Sequence, residues 1–133
     1  MSLHIGVLKE TPAGERRVSL VPGDLKAIKA LGAEVLIEAG AGTLSAYPDS
    51  AYEAAGARVV KSREEVLSSA QIVLYVSPQT GLQGPGKSGQ LFIGMGDALS
   101  NPAPHAAIAK SGASTMALEL VPRITRAQSM DVL

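Results

Sequence analysis

The sequence predicts an α/β fold with an open, largely parallel sheet and helices on both of its faces. Short apolar runs recur at residues 5–8, 34–38, 57–60, 71–76, 91–95 and 113–120, and helix signals of about ten residues lie between them. Apolar runs that do not alternate with polar residues suit strands buried on both faces. Parallel neighbours need a helical crossover between them, which is what the βαβα order supplies.

Each element has its own signal. Residues 5–8 form the first strand, stopped by Lys9 and Glu10. Residues 22–31 space Leu25, Ile28 and Leu31 on one helical face, with Pro22 near the first turn and Gly32 as the stop. After the strand at 34–38, Ser50 with Glu53 and Ser62 with Glu65 read as capping boxes that open short helices on either side of the strand at 57–60. Residues 71–76 are the clearest buried strand, followed by 91–95. Asn101-Pro102 caps a helix that Gly112 ends, and 113–120 returns as the last strand.

Composition narrows the function. A chain of 133 residues is large enough for a core that needs no crosslinks. Cysteine is absent, which excludes disulfides, thiolate metal sites and cysteine nucleophiles and fits a reducing compartment. Twelve basic residues balance twelve acidic ones, and no run of like charge exceeds two, so nothing marks a nucleic-acid partner. With 3% aromatic residues there is no stacking platform for single strands either. The apolar runs fall well short of the roughly 20 residues of a membrane span, and the first residues lack signal-peptide order. The lobe is expected to be cytoplasmic and not inserted in a membrane.

In an open sheet of this class ligands gather beyond the carboxyl ends of the strands. The loops at 9–17, 39–49, 77–89, 96–100 and 121–125 should therefore share one edge. They carry Arg17 and Arg123 with glycines and small polar residues, and offer no His, paired carboxylates or nucleophile. Such an edge is equipped to bind, with little for acid–base work.

Two glycine clusters need separate treatment. Residues 81–88, Gly-Leu-Gln-Gly-Pro-Gly-Lys-Ser, satisfy the phosphate-loop pattern G-x-x-x-x-G-K-[ST]. A working phosphate loop runs straight into a helix whose free N–H groups hold the phosphates, whereas Gly89 and residues 91–95 read as turn and strand. The match is read as chance, and the segment as a surface loop. Gly40-Ala41-Gly42 lacks the third glycine of the dinucleotide fingerprint. The expected lobe is thus flavodoxin-like or Rossmann-like without that fingerprint.

The final residues stop in mid-signal. Thr125 and Gln128 read as a capping box, with Ala127, Met130 and Leu133 on one helical face and no Gly or Pro after them. Residues 125–133 are expected to begin an interdomain helix, and residues 1–133 to be one lobe of something larger.

Ile5-Gly6-Val7-Leu8-Lys9-Glu10, residues 15–22 (Glu-Arg-Arg-Val-Ser-Leu-Val-Pro), residues 32–42 and Tyr52-Glu53-Ala54-Ala55-Gly56-Ala57 resemble the N-terminal domain shared by alanine dehydrogenases and the alpha subunit of proton-translocating nicotinamide nucleotide transhydrogenases. The resemblance covers essentially the whole chain. Its tail, residues 119–131, resembles the transhydrogenase loop that reaches the nicotinamide ring of NAD(H).

The resemblance implies an N-terminal lobe of a two-lobe NAD(H)-binding component, with a Rossmann lobe following in sequence and absent from this chain. Hydride would pass between NAD(H) here and NADP(H) on a partner component, while membrane partners move protons. The intact component would be a homodimer, peripheral to the membrane through its partners. No metal is implied. Arg123, Gln128 and Asp131 would contact the nicotinamide end of NAD(H). Each also has a plain reading: Gln128 as capping-box partner of Thr125, Arg123 as ion-pair partner of Glu119, Asp131 as a solvated helix residue.

The resemblance also implies that alanine dehydrogenases carry a Lys and a His where Ser77 and Gly96 stand. Oxidative deamination needs a general acid or base, which neither residue supplies; hydride transfer between two nicotinamides needs positioning instead. No residue is assigned a catalytic role. Arg17 corresponds to a substrate-carboxylate clamp of alanine dehydrogenases and is expected to serve loop packing or an ion pair here. His4 and His105 are expected at the surface. An alanine dehydrogenase-like lobe and a noncatalytic assembly module are the alternatives.

Overall fold

The apolar runs do assemble into one sheet. The computed structural model describes residues 2–132. Among them lie the strands β1 (Leu3–Val7), β2 (Ala33–Glu38), β3 (Arg58–Val60), β4 (Ile72–Leu74), β5 (Leu91–Gly94) and β6 (Ser114–Ala117). Their order across the sheet is β3-β2-β1-β4-β5-β6, and every neighbouring pair is parallel. The chain winds outward from β1 to β3, then crosses back to lay β4 on the other side of β1. This places a topological switch point between β1 and β4.

The helices are α1 (Leu25–Ala30), α2 (Asp49–Ala54), α3 (Arg63–Ser69), α4 (Pro78–Gly81) and α5 (Ala103–Lys110). Side-chain alternation along the strands divides the interior into two cores. Val7, Val35 and Ile37 pack with Leu25 of α1 and Tyr52 of α2, while Leu36, Val73 and Phe92 pack with Val66 of α3 and Ile108 of α5. Each such aliphatic or aromatic side chain contributes about 1.5–3 kcal/mol when removed from water. The expected α/β sheet with helices on both faces is therefore the fold observed.

The crossover helix α3 lies directly on β1. A Cβ on Gly6 would stand 2.5 Å from Val66 Cγ1 and 2.8 Å from the Ala70 Cβ, so that strand position has no room for a side chain.

Several local expectations are corrected. The Ser62 box forms, with Ser62 Oγ accepting from Glu65 N–H at 3.2 Å. The Ser50 box does not: α2 starts one residue earlier, after Pro48, with no side-chain cap. Asn101 likewise does not cap α5, whose N-cap is Pro102. The helix expected at 22–31 is a 3-10 turn, Pro22–Asp24, followed by α1, and Leu31 lies past its end, 84% exposed. The strands at 71–76 and 113–120 are shorter than their apolar runs because their last residues turn into edge loops, the second through a 3-10 turn, Leu118–Leu120.

Residues Thr125–Met130 form a 3-10 helix with Ile124 as N-cap and no side-chain capping bond, so Thr125 and Gln128 do not make the expected box. Ala127 is buried and Met130 exposed; Leu133, the third member of the expected face, lies outside the described residues. No helix among the described residues is long and apolar enough to cross a membrane.

Candidate functional site

The carboxyl edge of the sheet is organised by two glutamates. Glu10, on the loop after β1, reaches across the switch point: Oε2 accepts from Val76 N–H at 2.9 Å, and Oε1 accepts from the N–H and hydroxyl of Ser77 at 2.8 Å each. Thr80, fully buried, accepts from Thr11 N–H at 3.0 Å and lies 3.1 Å from Ser77 Oγ. In a dinucleotide-binding sheet the corresponding crevice offers N–H groups to a pyrophosphate. Here a carboxylate already holds those donors and adds a negative charge, so the switch point is closed to an anion.

Glu119, at the exit of β6, does the same for the next loop. Oε1 accepts from Gly96 N–H at 2.8 Å and Oε2 from Ala98 N–H at 3.2 Å. His105 of α5 takes the other pole of the same residue, its Nε2 lying 2.8 Å from the Gly96 carbonyl oxygen and its Nδ1 2.9 Å from Thr115 Oγ1. The arrangement assigns the neutral tautomer with Nε2–H donating to Gly96 and Nδ1 accepting from Thr115. Contrary to expectation His105 is half-buried with both ring nitrogens engaged, and His4 is half-buried too, 2.9 Å from Glu34. Neither histidine has a nitrogen free for proton transfer to a ligand, or in His4's case a place on this edge.

Gly96 is a tight position. A Cβ there would lie 2.5 Å from His105 Cε1 and 3.0 Å from the Tyr75 hydroxyl. That hydroxyl is buried and unpartnered, and burial, with Glu119 and Glu10 nearby, raises its pKa. Any side chain at 96 would have to displace one of these rings.

Between these loops lies an open cleft of about 300 Å³, lined by Arg17, Tyr75, Val76, Met95, Leu118 and Val132 among others. Arg17 donates from Nε and Nη2 to the two oxygens of Glu15, at 2.9 and 2.8 Å. This fork holds the Glu15 carboxyl down at about 2 and raises Arg17. At the far side of the edge, Arg63 opens α3 with Nη1 buried and unpartnered; burial lowers its pKa against the pull of Glu38, Glu64 and Glu10.

The three residues expected around a nicotinamide sit together on the final segment, outside the lining of this cleft. Arg123 and Gln128 are exposed and Asp131 is half-buried, with Arg123 Nε donating to Asp131 Oδ2 at 3.3 Å. Arg123 thus pairs with Asp131, and Glu119, its expected partner, is committed to Gly96 and Ala98. Sequence reasoning passed over Glu10, Glu119, Tyr75 and Arg63. The signal for the two glutamates was an acidic residue one to three positions beyond an apolar strand, which is common at any polar loop.

The phosphate-loop look-alike lies at the opposite edge. Lys87 Nζ donates to Ser68 O at 2.8 Å, and the buried Gln90 donates to Leu67 O and Ala70 O at 2.9 and 2.8 Å, so the loop caps the carboxyl end of α3. Strand β5 follows it, as expected. The expectation that all of 77–89 belongs to the ligand edge is corrected accordingly: only its start, with α4, does.

The fold and its edge define a Rossmann-like lobe that lacks the dinucleotide fingerprint and whose switch point is closed by its own carboxylate. Residues 6–133 match the family described as alanine dehydrogenase/PNT, N-terminal domain, and the chain belongs to that family. It is 37% identical, over 98% of its length, to the first polypeptide of NAD(P) transhydrogenase subunit alpha of Rhodospirillum rubrum, spanning 36% of that protein. Among solved structures it superposes on the transhydrogenase from Sinorhizobium meliloti with a TM-score of 0.86 at 39% identity, over 98% of this chain and 39% of that one. An L-alanine dehydrogenase matches with a TM-score of 0.81 at 26% identity, over 93% of this chain and 34% of that one. The chain therefore spans about a third of the length of the relatives it matches.

Proposed function

We propose that this chain is the N-terminal lobe of the NAD(H)-binding component of a transhydrogenase, which exchanges hydride between NAD(H) and NADP(H) while membrane partners translocate protons. The observation that carries the reading is the state of the carboxyl edge. Its groups capable of acid–base work, Glu10, His105 and Glu119, are all engaged in holding backbone or neighbouring side chains. Direct hydride transfer asks the protein for orientation and electrostatics, and the cofactors supply the chemistry. Deamination of an amino acid would need one of these groups free. The relatives named as transhydrogenase subunits support the same choice.

In this reading Arg123, Gln128 and Asp131 form a polar fingertip for the nicotinamide end of NAD(H), and a second lobe holds the rest of the dinucleotide. The Arg123–Asp131 pair keeps the guanidinium in place before the cofactor arrives. The cofactors are NAD(H) on this component and NADP(H) on its partner, with no metal; the component works as a homodimer at the cytoplasmic face of the membrane.

Hydrogen bonds from Arg123 or Gln128 contribute roughly 1–3 kcal/mol each, less than the 4 or more kcal/mol of freedom lost on association. The isolated lobe is therefore inactive and shows no saturable NADH signal at micromolar concentration. In the intact component Arg123→Ala slows hydride transfer by about tenfold or more, one charge-assisted contact being worth roughly 1.5–3 kcal/mol. Unchanged turnover would remove Arg123 from the site. Pyruvate formed from alanine by the intact protein would favour the dehydrogenase instead.

A further inference from the structure

The last segment of the chain leaves the sheet at β6, and Glu119 stands at its root. We propose that Glu119 is a positioning residue for residues 118–132, fastening the segment that carries Arg123, Gln128 and Asp131 to the turn after β5. The inference rests on the function proposed above for its kinetic consequence and on geometry for its structural one.

The turn at 96–98 is shaped to be gripped. Asp97 takes φ +51°, a left-handed conformation uncommon outside glycine, and lies between the two residues whose N–H groups, Gly96 and Ala98, meet the two oxygens of one carboxylate. His105 holds the Gly96 carbonyl from the α5 side, and Thr115 of β6 steadies the His105 ring. Glu119, Gly96, His105 and Thr115 thus close a ring of contacts through β6, the β5 turn and α5. Every link except Glu119 belongs to the body of the lobe.

Beyond Glu119 the segment has few ties. Arg123, Gln128 and Met130 are exposed, Ala127 is its buried residue, and its described 3-10 helix is held by short-range backbone bonds. A segment with so few buried contacts takes its direction from its root. Charge-assisted bonds from two N–H groups are strong enough to fix that root, and they do so without occupying the exposed polar residues farther along. Glu119 also explains why position 96 stays without a side chain: a Cβ there meets His105 and Tyr75 and would push the turn off the carboxylate.

The test uses the intact component with its partners. Glu119→Gln keeps the volume but turns an amide NH2 toward one of the two N–H donors. It should speed hydrogen exchange across 118–132, and it should lower the single-turnover rate of hydride transfer by about tenfold, the consequence of one or two lost charge-assisted bonds, while NADH affinity shifts much less. A residue serving stability alone would lower the melting temperature and leave the rate of the folded protein unchanged. Should Glu119→Gln fail to fold, His105→Gln loosens the same turn from its other side and should shift exchange and rate in the same direction. On an Arg123→Ala background the kinetic effect of Glu119→Gln should largely vanish, because both act through one segment. Unchanged exchange, or full additivity with Arg123→Ala, overturns the proposal. If Arg123→Ala itself leaves transfer unchanged, the reading of the site fails while the exchange measurement still decides the role of Glu119.

Discussion

Glu10 and Ser77 are joined by two hydrogen bonds of 2.8 Å, both to one carboxylate oxygen, across the point where the strand order reverses. The pair couples the loop after β1 to the loop after β4, elements far apart in sequence. Replacing Glu10 by Gln leaves one or more of those donors facing an NH2 group. The expected outcome is a loss of about 1.5–3 kcal/mol in unfolding free energy, the usual worth of hydrogen bonds to a charged group, read from urea denaturation. A change within about 0.5 kcal/mol would show the staple to be redundant.

Two buried tyrosines should respond in opposite ways to the loss of their hydroxyls. Tyr52, fully buried, donates to Leu20 O at 2.8 Å, and burial pushes it up to about 12. Tyr75 is equally enclosed but has no partner. Tyr52→Phe leaves a buried carbonyl unsatisfied and should cost about 1–3 kcal/mol, whereas Tyr75→Phe removes an orphaned polar group and should be neutral or stabilising. Equal effects of the two substitutions on the denaturation midpoint would contradict this assignment.

Acid should weaken the loop at 9–17 through Glu15. Its folded carboxyl titrates near 2, below the unfolded range of about 4.3, so the pair with Arg17 stabilises fully above that range and is lost as the pH falls toward 2. Because Arg17 is 67% exposed, solvent screening limits the contribution to about 1 kcal/mol or less. Wild type and Glu15→Gln should therefore differ in stability at pH 7 and converge near pH 2. A difference that persists or grows at low pH would refute the ion pair as its source.

Lys87 should matter to helix capping and not to nucleotides. Lys87→Ala removes the contact with Ser68 O at the carboxyl end of α3, with an expected cost of about 0.3–1 kcal/mol. Phosphate release from ATP should be absent before and after the substitution. Hydrolysis abolished by Lys87→Ala would restore the phosphate-loop reading.

Much of the fold was legible because burial on both faces of a parallel sheet leaves an unbroken apolar run for each strand, and Gly6, Val66 and Ala70 then had only one way to pack. Capping was legible only in part. Ser62 caps α3, but Ser50 and Thr125 do not cap their helices, since a hydroxyl near a helix start can be bypassed when Pro48 or Ile124 sets the turn. The charge balance and the absence of cysteine also followed from composition alone.

What only the tertiary structure decided is which polar groups are spent. Arg123 with Asp131, Glu119 with Gly96, Glu10 with Ser77 and Lys87 with Ser68 are choices among many partners that sequence spacing permits. The local pattern of a chain sets strands and helices through short-range torsional preference and periodic burial. A hydrogen bond between distant loops depends instead on the strand order, and the crossing of the chain back over β1 is what brought those donors and acceptors within reach.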